Sequence, residues 1–220
     1  MNRILGALAG AAFLAACGGN DPGSGTQTLY VNATAQSDGS SSGTKLTVEV
    51  RDTNSSGGFV QGATVQLIGD RGTTYTLAFV NLFVWQGYYQ QDITWEGGWK
   101  LRVTRGNDNL EAYIAGPGLT DITAPVPNST FLKANAQNLT VQWKDELGRA
   151  MPNAELSFRR ADVTRTVQDT GSYQVDYNLL RAADDERITV RRWVDLTLKG
   201  GAAGSKLRAE TTAELPIIVQ

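Results

Sequence analysis

The chain has 220 residues with 20 basic and 22 acidic side chains, a net charge of −2, one cysteine and no histidine. Without histidine or a second cysteine, Ser-His-Asp and Cys-His catalysis within the chain, His- or Cys-ligated zinc and an intrachain disulfide are excluded. The balanced charge gives no electrostatic footprint for nucleic acid, while carboxylate chemistry and oxygen-ligated calcium stay open.

In chain order, the first predicted element is an export signal. Asn2-Arg3 makes a short, charged start, and Ile4 to Ala16 is apolar and small. The sequence then breaks into Gly18-Gly19-Asn20-Asp21-Pro22-Gly23-Ser24-Gly25. This order of charge, apolar stretch and small residues is that of a cleaved leader, and the apolar run is shorter than the roughly 20 residues that span a bilayer. The string Leu14-Ala15-Ala16-Cys17 resembles the lipobox of bacterial lipoproteins. The resemblance implies that Cys17 is diacylated, that residues 1–16 are removed, and that the new N-terminus is acylated. Gly18 stands where some lipoproteins carry an acidic inner-membrane retention residue, which implies an outer-membrane address. Residues 17–26 are then the lipidated cysteine and a flexible tether.

From residue 27 onward the pattern is short apolar/polar alternation broken by Gly, Asn and Asp. The segments 46–50, 64–67, 100–103, 139–143, 154–158 and 188–190 each place apolar side chains on one face at a period of two, the signature of half-buried strands. Ile188 to Leu198 and Leu207 to Ile217 alternate in the same way around a Gly-rich loop, so a long terminal hairpin is expected. The chain also repeats itself. Leu46–Asp52 aligns with Leu139–Asp145, Gly62–Leu67 with Asn153–Phe158, and Gly87–Asp92 with Gly171–Asp176. Three blocks in one order imply two copies of a unit. The expected fold is all-β: two tandem immunoglobulin-like antiparallel β-sandwiches over residues 27–124 and 125–220, with a seam near Thr123-Ala124-Pro125-Val126-Pro127.

Val48-Glu49-Val50-Arg51-Asp52 followed by Val60-Gln61-Gly62-Ala63-Thr64-Val65 resembles the opening of carboxypeptidase-regulatory-like and bacterial immunoglobulin-like modules. That resemblance covers roughly 25 residues per copy. It implies a sandwich with a structural or adhesive role. The second copy departs from it at Pro152-Asn153-Ala154.

Candidate sites follow from residue chemistry. Phe79, Phe83, Trp85, Tyr88, Tyr89, Trp95 and Trp99 crowd one segment, where aromatic rings either fill a core or, at the surface, stack on sugars and anchor partners. Trp85 and Tyr88 flank the turn signal Gln86-Gly87 and are the expected exposed binding surface. Asp184-Asp185-Glu186 offers three adjacent carboxylates, a weak calcium candidate that better suits a capped helical turn and a solvated loop. Asn107-Asp108-Asn109 follows Arg105-Gly106 between two strands and reads as a hairpin turn. Arg192 falls on the inward parity of Ile188, Val190 and Val194. Either it is buried with a partner, or a bulge at 191–193 or a stem along the sheet edge takes it out.

The expected function is that of a lipid-anchored envelope protein: a binding or structural module with no cofactor, whose partner is an envelope protein or polysaccharide. The alternative is a carbohydrate-binding or carboxylate-dependent carbohydrate-active domain. Asp92 with Glu96, or Asp184 with Glu186, would then need to stand about 5–10 Å apart across a cleft.

Overall fold

The computed structural model describes residues 25–54, 58–83 and 86–220, apart from the side chain of Phe83. Cys17 with the leader and most of the tether, and Trp85, lie outside the described residues. The described residues form sixteen β-strands and two single-turn 3-10 segments, and none of their helices is long and apolar enough to cross a membrane.

The first sandwich is built from two sheets. One contains β1 (Leu29–Ser37), β2 (Thr44–Asp52), β6 (Gln86–Ile93) and β5 (Ala78–Phe83), adjacent in that order. The facing sheet runs β4 (Thr74–Thr76), β3 (Thr64–Gly69), β7 (Gly98–Arg105) and β8 (Asp108–Ala115). In the second sandwich β14 (Ser172–Val175), β11 (Leu139–Asp145) and β9 (Thr120–Ala124) form one sheet. Its partner contains β13 (Val163–Gln168), β12 (Asn153–Phe158), β15 (Ala183–Thr197) and β16 (Lys206–Val219), with the short β10 (Thr130–Phe131) beside β16.

The sequence repeat is a repeat of strand register. Val48 faces Tyr89 across β2 and β6, and the aligned Val141 faces Tyr173 across β11 and β14. Val65 faces Val103 across β3 and β7 as Leu156 faces Val190 across β12 and β15. Because side chains alternate with a period of two, this shared register sends the same positions of each copy inward. The inward residues make two apolar cores. One is centred on Leu46, Val48, Leu67, Trp99 and Leu101, the other on Val141, Leu156, Phe158, Ile188 and Val190.

The division at residue 124 is crossed from both sides. β9, N-terminal to the proline pair, contributes Ile122 to the second core. The terminal hairpin, paired over thirteen residues, is longer than the second sandwich needs, and its tip carries Leu198, Leu207 and Ala209 into the first core. There β16 lies parallel to β1 in the register Asn32↔Lys206 to Ser37↔Thr211, and Lys199 bridges to Glu111 of β8. The β1–β16 pairing joins one sheet of each sandwich into a single nine-stranded sheet. Burying side chains such as Leu198 and Leu207 is worth about 1.5–3 kcal/mol each, so the first core draws some of its stability from the far end of the chain.

Candidate functional site

Arg192 is buried. β15 pairs regularly with β16 from residue 187 to 197, so no bulge at 191–193 turns the side chain outward, and it points into the protein with 2% exposure. Two carboxylates meet it there. Nε and Nη2 donate to Oδ2 of Asp169 at 2.8 and 2.6 Å, Nη1 donates to Asp145, and Nη2 also donates to the carbonyl of Arg149. Asp145 and Asp169 are themselves 5% and 2% exposed. A buried guanidinium is tolerable only when paired and fully hydrogen-bonded, and the remaining oxygens of both carboxylates are used. Asp169 accepts Nε1 of Trp143 at 2.7 Å and the amide of Met151 at 2.8 Å. Asp145 accepts the amides of Leu147, Arg149 and Gly118.

The last of these bonds leaves the second sandwich for the segment entering β9. In the same turn Arg149 donates to the carbonyls of Gly97 and, at 2.9 Å, Gly116, both beside the first core, while the amide of Glu146 donates to Leu119. A Cβ on Gly118 would press into Asp145 Oδ1 and stand 2.6 Å from the amide nitrogen of Leu147, so only glycine allows this approach. Two open clefts adjoin the junction. One of about 560 Å³ is bordered by Gly39, Thr120, Asp121, Lys144 and Glu146, and one of about 270 Å³ lies over Arg149, Asp169 and Arg192. Lys144 is paired with Asp121 at 3.1 Å. These charges are matched to one another within the second sandwich, and what reaches towards the first is the set of bonds from Arg149 to Gly97 and Gly116 and from Gly118 to Asp145.

The other candidates separate in space. Asp184 is exposed, Asp185 is ion-paired with Arg160, and Glu186 is fully buried, accepting the amides of Arg160 and Ala161 in the β12–β13 turn. The bonds from Arg160 hold the Asp185 carboxyl below the ordinary range. The acidic run caps no helical turn; Asp176 does so, accepting the amide of Asn178. Among the described residues, no three His, Cys, Asp or Glu side chains gather to hold a metal ion. Asp92 lies exposed on β6 opposite Lys45, whereas Glu96 accepts the amide of Arg71 beside the β3–β4 turn. Asn107 lies in the two-residue turn between β7 and β8, as expected, and the Asp108 carboxylate also holds the Thr26 hydroxyl at 2.9 Å, fixing the chain as it enters β1. In the aromatic segment, Tyr89, Trp95 and Trp99 are core and Phe79 packs against it, while Tyr88 is half-buried on the outer face of β6.

No protein-family model matches the sequence, and no curated relative matches it. Among solved structures the chain is similar to a Ca2+-stabilized adhesin that helps an Antarctic bacterium reach out and bind ice, at 17% identity and a TM-score of 0.29, covering 90% of this chain and 50% of that one. It is similar also to fibronectin(III)-like modules of Clostridium thermocellum CbhA, at 10% identity and a TM-score of 0.31, over 86% of this chain and 94% of that one. The BSP domain of a biofilm-associated protein gives 13% identity and a TM-score of 0.25, over 87% and 30%. The chain thus spans half the length of the first of these structures and under a third of the last.

Two groups escaped the sequence reading. The first is the pair of partners of Arg192, although a signal existed. Asp145 aligns with Asp52, and continuing the strand alignment places Arg192 on Arg105, which donates to Asp52 at 2.7 Å. The second is Trp193, on the outer face of the nine-stranded sheet, with the guanidiniums of Arg191 and Arg208 over its ring at 5.3 and 5.7 Å. Glu155 and Asp195 close the two ends of this stack at 2.9 and 2.8 Å. Cation–π contacts of this kind cover apolar ring surface that would otherwise face water.

Proposed function

We propose that this protein is a lipid-anchored cell-envelope protein that acts as a binding or structural module and performs no catalysis. The observation that carries the reading is the β1–β16 pairing, which joins one sheet of each sandwich into a single nine-stranded sheet directly after the tether. A fused body of this kind suits presentation and scaffolding, and the buried ionic groups at its junction are spent on one another. Acylation of Cys17 would hold the body at the outer membrane and raise its effective concentration towards envelope proteins or polysaccharides. In this reading residues 27–124 and 125–220 are the two repeat units, and Trp85 with Tyr88 belongs to the contact surface.

The test is metabolic labelling with palmitate, membrane fractionation and affinity capture after crosslinking, on wild type and Cys17→Ala. The expected result is label, outer-membrane recovery and a partner set in wild type only. Recovery of the same partners from the same fraction with Cys17→Ala overturns it.

A further inference from the structure

We propose that the protein is a load-bearing element, in which the β1–β16 pairing acts as a shear clamp carrying tension along the chain. The inference rests on the anchoring reading only for where the load enters. The clamp itself is a matter of topology. β1 and β16 are parallel neighbours, so a pull on the chain before Leu29 and a pull after Val219 act along the strands in opposite directions. The two strands must slide past each other, and the six residue pairs from Asn32↔Lys206 to Ser37↔Thr211 are loaded together. Strands pulled apart from a single end instead unzip, each pair breaking before the next is loaded.

Neither strand can slip out at an edge. β1 is also held by nine pairs to β2, and β16 by thirteen pairs to β15 and by β10 at its end. Side chains resist sliding as well. Leu29, Val31, Ala33 and Ala35 of β1 and Leu207 and Ala209 of β16 are buried in one core. A shift of either strand by one residue would turn that strand's buried set to the wrong face. Polar links stand beside the same seam: the Ser205 hydroxyl accepts the amide of Val31 at 3.1 Å, and the Thr120 and Thr211 hydroxyls meet at 2.7 Å. Tension therefore passes from β1 straight to β16, and the rest of both sandwiches lies off the load path until the clamp breaks. The consequence is that two sandwiches behave as one mechanical unit.

Single-molecule force spectroscopy on the chain carrying Cys17→Ser tests this, because forced rupture reads the unfolding barrier directly. Held by extensions before residue 18 and after Gln220, the chain should rupture in one event. The 191 residues from Leu29 to Val219 should then release on the order of 600 Å of chain at ~3.3–3.6 Å per residue. A second geometry grips Ser42→Cys, an exposed position in the β1–β2 turn, together with the C-terminal extension. That pull peels the seam from one end, and its rupture force should be several-fold lower at an unchanged melting temperature. Two successive steps of about half that length, or equal forces in the two geometries, would overturn the clamp. Acylation of Cys17 does not enter the measurement, so either result leaves the anchoring test undecided and independent.

Discussion

Arg192 stands on Asp145 in the second sandwich as Arg105 stands on Asp52 in the first, on the same aligned strand positions. The two copies of one ion pair differ in burial. Arg105 and Asp52 are 41% and 18% exposed, against 2% and 5% for Arg192 and Asp145. The cause lies in the chain around them. The turn after β11 folds onto the first sandwich, and Asp169 closes over the guanidinium. Arg192→Leu should therefore strand two buried carboxylates and cost about 3–5 kcal/mol. Arg105→Leu, at a solvent-screened pair, should stay within about 1 kcal/mol. Urea unfolding of both variants measures the contrast, and near-equal losses would mean that burial at the junction does not matter.

Gly118 supplies a second check on the junction. Its substitution by alanine presses a Cβ against Asp145 Oδ1 and the backbone of Leu147, where relief requires moving the turn that carries Arg149. Overpacking of this kind costs about 1–3 kcal/mol. Gly62→Ala is the internal control: its Cβ would meet nothing within 4 Å, and surface changes of that sort stay within about 0.5 kcal/mol. Thermal melts of the two variants should separate clearly.

Leu207 belongs to β16, but its side chain lies in the first core. Leu207→Ala should cost about 2–5 kcal/mol. Its effect should appear in hydrogen exchange as faster opening of β1 and β2, whose nearest residues in sequence are more than 150 positions away. If exchange quickens only in β15 and β16, the hairpin tip is an ornament on the first sandwich and does not hold it together.

Much of this architecture could be read from residues alone, because it rests on local periodicity. The period-two alternation of Leu46 to Val50 and Leu139 to Trp143 marks strands, and the repeat assigns them equivalent places with matching register. The inward parity of Arg192 posed the right question about burial. Its partners stayed hidden because Asp145 and Asp169 are 47 and 23 residues away, and distance in sequence carries no periodic signal. The hairpin tip was missed for a related reason. Leu198 and Leu207 alternate like any strand residues, and nothing local says which of two similar cores receives them. Acidic triplets mislead in the opposite way: adjacent residues on an extended strand point to opposite sides, so Asp185 meets the Arg160 guanidinium at the surface while Glu186 turns inward to the backbone amides of Arg160 and Ala161.

Acid stability follows from the surface ion pairs that flank the shared sheet. Arg208 bonds to Asp195 and holds its carboxyl below the ordinary 3.8. Burial pushes Glu111 up, but bonds from Lys100 and Arg102 outweigh it and leave the carboxyl below its ordinary 4.5. A carboxyl depressed in the folded state binds its proton more weakly there than in the unfolded chain. Its stabilisation is thus complete above the unfolded value and is lost as the pH falls through the folded one. Stability should be flat from neutral pH to about pH 5 and then decline below about pH 4. Glu111→Gln should be less stable than wild type at pH 7, and the gap should narrow towards pH 3. Urea midpoints measured across that range decide it, and a gap that widens on acidification would reverse the assigned sign.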